Sequence, residues 1–281
     1  MAALGLLALV LVATAFLLGG AGRGVHHAAA RPPASFFARV RTLAGSGIGS
    51  VSAAETTGID RTLAYTPYVR VAGSQHREVA LTFDDGPGPY TPQILSILQR
   101  YQIPATFFEV GVLEQYFHAS TSRIIGLGDV IGDHTFYHAP MARLSPADQQ
   151  TELLEGARAL EHYGAPFPRL FRPPYGLWNS HTLSLLHAER MLMVLWTIDT
   201  NDYRLPGSAA IVRAAVDGAK PGAIILLHDG GGNRSETVAA LPKIITKLRA
   251  RGYRFVTVPR LLIDNPPPHD QNVYSVVGHG G

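Results

Sequence analysis

The chain has 281 residues, 46% of them hydrophobic and 16% charged, with a formal net charge of +3, enough for one large α/β domain or two ordinary ones with a sizeable core. Residues 1–76 carry six arginines against two acids, leaving eighteen Lys/Arg against nineteen Asp/Glu beyond them, so the body is near neutral and lacks the basic stripe that a nucleic-acid partner requires. Cysteine is absent, which excludes disulfides, thiolate metal sites and a cysteine nucleophile.

The first element is MAALGLLALVLVATAFLLGGAG, residues 1–22, with no charged side chain before Arg23. A helix needs about 20 apolar residues to cross a bilayer, and this run is longer than the about 7–15 of a cleaved signal. It reads as a signal anchor, or as a signal peptide cut near Ala28–Ala30, and places the protein outside the cytoplasm. Arg23, Arg31, Arg39 and Arg41 follow the run, where the positive-inside rule runs against simple export. Residues 23–76, rich in Ala, Gly, Ser and Pro, read as a mostly irregular linker with one short ordered segment around Leu63–Val71.

From residue 77 to 262 the chain alternates. Strand signals fall at EVALTF (78–83), ATFFEV (105–110), DVIGD (129–133), RLFR (169–172), MLMVLWTI (191–198), AIILLH (223–228) and YRFVTV (253–258). Helices start between them: at Thr91-Pro92 as N-cap and N1, at Ser145-Pro146, at Ser208, and at Ser235, with Gly252 closing the last. Wholly apolar strands separated by helices predict parallel βα units buried on both faces, in a barrel or a doubly wound sheet. Residues 263–281, with PPPHD and GHGG, read as a loop-like tail.

Polar residues cluster at the C-terminal ends of these strands: Asp84-Asp85, His134, Arg172, Asp199, Asp202 and His228. In parallel α/β folds that rim is where sites form. Two adjacent carboxylates repel each other, and a turn needs only one, so Asp84-Asp85 calls for a cation nearby. His134 and His138, at i and i+4, would share one helix face and could hold that cation. With Asp85 they make a two-histidine, one-carboxylate set that leaves positions open. In FRPPYG (171–176) two prolines and a glycine would rigidly aim Arg172 at a carboxylate. In LLHDGGG (226–232) the glycines would leave His228 approachable, with Asp199 or Asp202 to orient it. Glu109 reads as structural or at the substrate rim.

Taken together, TFDDG (82–86), HTFYH (134–138), RPPY (172–175), DTNDY (199–203) and LLH (226–228) resemble, in order, the motifs of the polysaccharide deacetylases with a NodB-homology domain, carbohydrate esterase family 4. The resemblance implies a distorted (β/α)7 barrel. It implies Asp85, His134 and His138 as ligands of a divalent metal, zinc in the first place and Co2+, Ni2+ or Mn2+ as alternatives. Asp84 becomes the general base, Arg172 its partner, His228 the general acid and Asp202 the partner of His228. Tyr175 supplies a backbone N–H for the oxyanion, and Tyr203 and Leu226 wall the acetyl pocket. Tyr203 stands where many members have Trp. The expected activity is removal of N-acetyl groups from an envelope or extracellular glycan, peptidoglycan N-acetylglucosamine first and chitin-like polymers next, by a monomer whose membrane contact is the N-terminal apolar segment. O-acetyl ester or small-amide hydrolysis on the same site, or a non-catalytic glycan-binding module, are the competing readings.

Overall fold

Among the described residues nine strands form one sheet in the order β1-β6-β5-β4-β3-β2-β8-β7, with β9 paired to β2 and every ladder parallel. The computed structural model describes residues 51–271. The strands are β1 (Tyr68–Val69), β2 (Glu78–Gly86), β3 (Thr106–Glu109), β4 (Val130–Asp133), β5 (Leu170–Phe171), β6 (Leu192–Val194), β7 (Ile198–Asp199), β8 (Ala223–His228) and β9 (Arg254–Phe255). The helices are α1 (Ala53–Leu63), α2 (Thr91–Tyr101), α3 (Glu114–Leu127), α4 (Pro146–His162), α5 (Ser180–Glu189), α6 (Ser208–Asp217), α7 (Ser235–Ala250) and α8 (Val258–Asp264). The sheet curls into a half-barrel, the shape expected of a (β/α)7 chain whose ring is distorted.

The pleat explains how the core divides. Successive side chains leave a strand on opposite faces. Val79, Leu81 and Phe83 of β2 pack with Leu95 of α2, Ile124 of α3, Leu160 of α4, Ile211 of α6 and Ile244 of α7. Ala80 on the other face packs with Phe108, Val194 and Ile224, covered by Ile59 of α1 and Leu261 of α8. β8 is buried along its whole length, which is why its sequence is apolar without alternation.

Several expectations are corrected. Inside the stretch read as linker, α1 starts with a reciprocal cap between Ser52 and Glu55, whereas β1 falls within the ordered segment expected around Leu63–Val71 and extends the sheet beside β6. MLMVLWTI is two strands rather than one: the carbonyls of Val194 and Leu195 accept from Arg172, the chain bends there, and β7 joins β8 instead. YRFVTV gives only Arg254–Phe255 as strand, because Thr257 caps α8 by accepting from the Arg260 N–H and a proline follows in the first turn. Thr91 lies one residue inside its helix, after Tyr90, and Gly207 rather than Ser208 precedes α6. Residues 265–271 are irregular yet pinned: the Gln271 Oε1 accepts from the N–H groups of Arg70 and Val71, satisfying the edge beyond β1. No helix among the described residues is long and apolar enough to cross a membrane; the run at 1–22 and residues 272–281 lie outside them.

Candidate active site

Asp84 follows Ala80 and Thr82 on one face of β2, and Arg172 enters that face from the end of β5. Its Nη1 donates to Asp84 Oδ1 at 2.7 Å and to Thr82 Oγ1 at 2.8 Å, its Nε and Nη2 to the carbonyls of Val194 and Leu195 at 3.0 and 3.2 Å. Phe108 lies under the guanidinium, 4.1 Å from ring centre to Cζ. Arg172 is wholly buried. Burial pulls down its hold on the proton, and the Asp84 charge and hydrogen bond push the other way.

In a regular strand Asp85 would point to the opposite face from Asp84. It does not, because the β2–β3 register shifts between Asp84 and Gly86 and Asp85 has φ +68°. Such a bulge re-aims a side chain. Asp85 Oδ1 consequently lies 3.5 Å from His134 Nε2 and 3.0 Å from His138 Nε2, while Asp84 Oδ2 is 3.8 Å from His134 Nε2. Burial raises the Asp85 carboxyl, but hydrogen bonds from His134 and His138 and the charges of His134 and His228 outweigh it and hold the group well below the usual carboxylate range.

The two imidazoles meet without a helix. His134 to His138 is a bent loop after β4, with Thr135 at φ +68° and His138 at φ +59°. His134 Nδ1 is 2.6 Å from the Arg172 carbonyl. A carbonyl only accepts, so Nδ1 donates to it and Nε2 is the ring nitrogen left facing Asp85. Among the described residues these three side chains are the group whose donor atoms lie close enough for a metal, all within 4.8 Å of one another. Tetrahedral bonds of about 2.1 Å put neighbouring ligand atoms about 3.4 Å apart, close to the Asp85–imidazole distances. The donor set fits a divalent metal.

His228, at the end of β8, is held by Asp202. Its Nδ1 lies 2.7 Å from Asp202 Oδ1, its N–H donates to Oδ2 at 2.8 Å, and Thr237 Oγ1 donates to the same oxygen at 2.7 Å. Burial works against a charged ring here, but the Asp202 hydrogen bond and charge, with Asp84 and Asp85 beyond, push His228 up to about 9. The Asp202 carboxyl, raised by burial, is lowered overall by these donors. Asp199 is the other candidate partner; it instead accepts from the Asn201 N–H at 2.7 Å and lines the cleft.

Asp84, Asp85, His134, His138, Asp199 and His228 open on one cavity of about 640 Å³, with Arg172 and Asp202 buried behind them. Tyr175, at φ +60°, stands with its ring edge-on to His138 at 4.7 Å. Its N–H takes no part in the turn's hydrogen bonds, which run from Gly176 to Pro173 and from Leu177 to Pro174. Tyr203 lies 5.3 Å from the His228 ring, and Leu226 lines the floor near it. Glu109 lies elsewhere, fully buried and absent from the cleft lining; it is structural. The loop after β8 comes close to Asp85: a Cβ on Gly230 would sit 1.7 Å from the Asp85 carbonyl oxygen, and one on Gly231 2.4 Å from Oδ2. Arg234 clamps that loop, donating to the carbonyls of Gly230, Gly231 and Asn233 at 2.6, 3.1 and 3.2 Å.

The cleft also contains Trp196, Tyr137, Val110, Val112, Leu113 and Arg234, none of which the sequence assigns a role. Tyr137 had a signal by position, within HTFYH, as did Thr82, within TFDDG, which bonds Arg172 behind the cleft; the others have none, since lining a cleft is a property of packing. A family profile described as polysaccharide deacetylase matches residues 72–193. A peptidoglycan-N-acetylglucosamine deacetylase of Bacillus cereus is 42% identical over 187 residues, covering 66% of this chain and 87% of the relative. The chain belongs to the polysaccharide deacetylase family, carbohydrate esterase family 4. A chitooligosaccharide deacetylase of a Bradyrhizobium species is 35% identical, over 69% of this chain and 94% of its own length. The crystal structure of a peptidoglycan N-acetylglucosamine deacetylase bound to 4-naphthalen-1-yl-N-oxidanyl-benzamide superposes with a TM-score of 0.69 at 31% identity, covering 74% of this chain and 97% of that one. The deacetylase profile ends before Asp202 and His228, so the pairing of those two is a finding of the geometry.

Proposed function

We propose that this deacetylase is a metal-dependent hydrolase that removes N-acetyl groups from a cell-envelope glycan, peptidoglycan N-acetylglucosamine first and a chitin-like polymer next, releasing acetate outside the cytoplasm. The observation that carries the reading is the placement of two groups on one cleft: Asp84 beside the Asp85–His134–His138 set, and His228 backed by Asp202. A divalent cation bound by that set, zinc by preference, would polarise the acetyl carbonyl and make water acidic enough to attack near neutral pH.

The chain's own side chains supply the proton traffic. Asp84 has one oxygen tied to Arg172 and the other turned towards His134, placed to take a proton from the attacking water. The Tyr175 N–H is free of its turn and can donate to the oxygen that gains charge. An amine leaves only when protonated. His228, with Nδ1 committed to Asp202, carries an Nε2 proton at neutral pH and delivers it to the departing nitrogen. The cation would offset the pull of Asp84 and Asp85 on His228 and bring its affinity for the proton nearer the working range. Tyr203 and Leu226 wall the acetyl group, and export through the N-terminal apolar segment would bring the enzyme to its substrate.

The deciding experiment is acetate release from peptidoglycan, chitooligosaccharides and acetylated xylan, with chelator and then with zinc restored. Release from the N-acetylated glycans that stops on chelation and returns with zinc is expected. Release from acetylated xylan alone, or release indifferent to chelator, would overturn the proposal.

A further inference from the structure

Five large apolar or aromatic side chains are exposed among the described residues: Tyr116, Tyr137, Tyr175, Tyr203 and Leu205. Three of them, Tyr137, Tyr175 and Tyr203, line the same cleft. Single exposed apolar residues need no explanation, whereas a cluster around a concavity marks a binding face. Tyr175 and Tyr203 stand against His138 and His228 and so belong to the reacting centre. Tyr137 has no place in the chemistry, yet its residue is 66% exposed.

The Tyr137 ring is also prepared in position. Its backbone N–H donates to Glu152 Oε2 at 2.8 Å. The preceding Phe136 donates to the Glu152 carbonyl at 3.0 Å and accepts from the Val112 N–H at 2.9 Å, and the Phe136 ring meets Tyr137 edge-on at 4.5 Å. These ties join the loop between the two imidazoles to the turn after β3, whose Val112 and Leu113 line the same cleft as Tyr137. The result is an apolar wall made by residues outside the acetyl pocket of Leu226 and Tyr203. A tyrosine held this way loses little freedom on binding, having only two side-chain torsions. The cavity, about 640 Å³, is of the size that holds a whole small ligand rather than an acetamide alone.

We propose that Tyr137, with Val112 and Leu113, is the platform for the sugar ring next to the one being deacetylated. The inference rests on the glycan reading above. A β-linked glucosamine-type ring carries its substituents equatorially, so its faces present only C–H groups, the partner suited to the negative face of a tyrosine. Contact with a neighbouring ring holds the acetamide in place, so binding energy gained away from the reacting bond can raise kcat.

The test compares wild type, Tyr137→Ala, Tyr137→Phe and Tyr137→Trp on N-acetylglucosamine and on N-acetylated chitotetraose. Acetate release is followed alongside calorimetric binding of both sugars. Wild type should favour the tetramer, and Tyr137→Ala should cut that preference about tenfold, equivalent to about 1.4 kcal/mol, while Phe and Trp keep most of it. Competition with a chelator should give Tyr137→Ala a cation affinity close to wild type, which separates a lost platform from a disturbed His138. An undiminished preference for the tetramer, or an equal loss on both sugars, overturns the platform. If wild type releases no acetate from any glycan, the glycan-deacetylase reading fails, and the calorimetry still decides whether Tyr137 holds a sugar.

Discussion

Arg172 and Asp84 form a buried ion pair at 2.7 Å, with the arginine side chain fully enclosed and the carboxylate 4% exposed. The pair lasts in so dry a place because the remaining hydrogen bonds of the guanidinium go to fixed groups: Thr82 and the carbonyls of Val194 and Leu195, where the chain bends between β6 and β7. Removing one member of such a pair leaves a buried charge without compensation, at a cost of about 3–5 kcal/mol. Arg172→Met should therefore lose stability on that scale, read from urea unfolding, together with most activity. Arg172→Lys should recover only part, because an ammonium cannot reach along the same planar fork. A methionine variant as stable as wild type would mean that the pair does not hold the site.

His228 gives a prediction with a definite sign. Its ordinary value of 6.5 is raised to about 9 in the folded chain, with burial opposing and the Asp202 pairing prevailing. A raised imidazole binds its proton more tightly folded than unfolded. The pair's contribution is therefore complete below pH 6.5 and fades as pH climbs through about 9. In metal-free protein, Asp202→Asn should be less stable than wild type at pH 6, by at most about 3 kcal/mol since Asp84 and Asp85 supply part of the shift, and the gap should narrow towards pH 10. Urea midpoints at the two pH values measure it. Loss of the proton donor altogether, in His228→Ala, should lower kcat by about 10²–10⁴-fold; near wild-type turnover would remove His228 from the reaction.

The cation set and the loop that presses on it should separate in a binding experiment. Asp85→Ala removes one of three donors and should abolish stoichiometric zinc in elemental analysis. Arg234→Met keeps all three donors but releases the carbonyls of Gly230 and Gly231, whose loop packs against Asp85. Its affinity for zinc should fall about tenfold, in the range found when groups supporting metal ligands are lost, as measured by competition with a chelator. Unchanged affinity would make Arg234 a purely structural clamp.

Much of this arrangement is written locally in the chain, and the exceptions share a cause. AIILLH and EVALTF read as strands because a parallel strand buried on both faces must be apolar throughout, and His228 at the end of the first and Asp84 just after the second therefore stand out. Ser145 caps α4 as its sequence suggests. The facing of Asp85 is not legible, since it depends on a bulge against β3, and the helix expected for His134–His138 gives way to a loop tied to Glu152 and Val112. MLMVLWTI looks like one strand because its composition cannot register that Arg172, twenty residues away, takes two of its carbonyls. Trp196 and Arg234 carry no motif; only packing brings them to the cleft, and Tyr137, though inside HTFYH, has no role there that its residue type announces. The helix α1 has a local sign in Ser52 and Glu55, hidden by a surrounding run rich in Ala, Thr and Gly.

Glu109 and Glu114 make the last prediction. Both are fully buried, and both Glu109 oxygens and Oε1 of Glu114 have no ordinary hydrogen-bond partner, while Glu114 Oε2 accepts from Thr121 at 2.6 Å. Burial, and then the charge and hydrogen bonding of Glu114, push the Glu109 carboxyl well above its usual range; burial likewise raises Glu114. One proton shared between the two carboxyls turns one of them into a donor and gives each a partner. Because the folded state holds that proton more tightly than the unfolded chain, the pair contributes fully below the ordinary glutamate value of 4.5, and its contribution is lost as pH rises above it. Glu109→Gln supplies a permanent donor of nearly the same shape and cannot ionise. Measured as the difference in urea midpoint between the variant and wild type, its relative stability should increase from pH 5 to pH 8. A difference that stays constant or moves the other way would mean that Glu109 is ionised in the fold, and that its charge is met by a partner other than a shared proton.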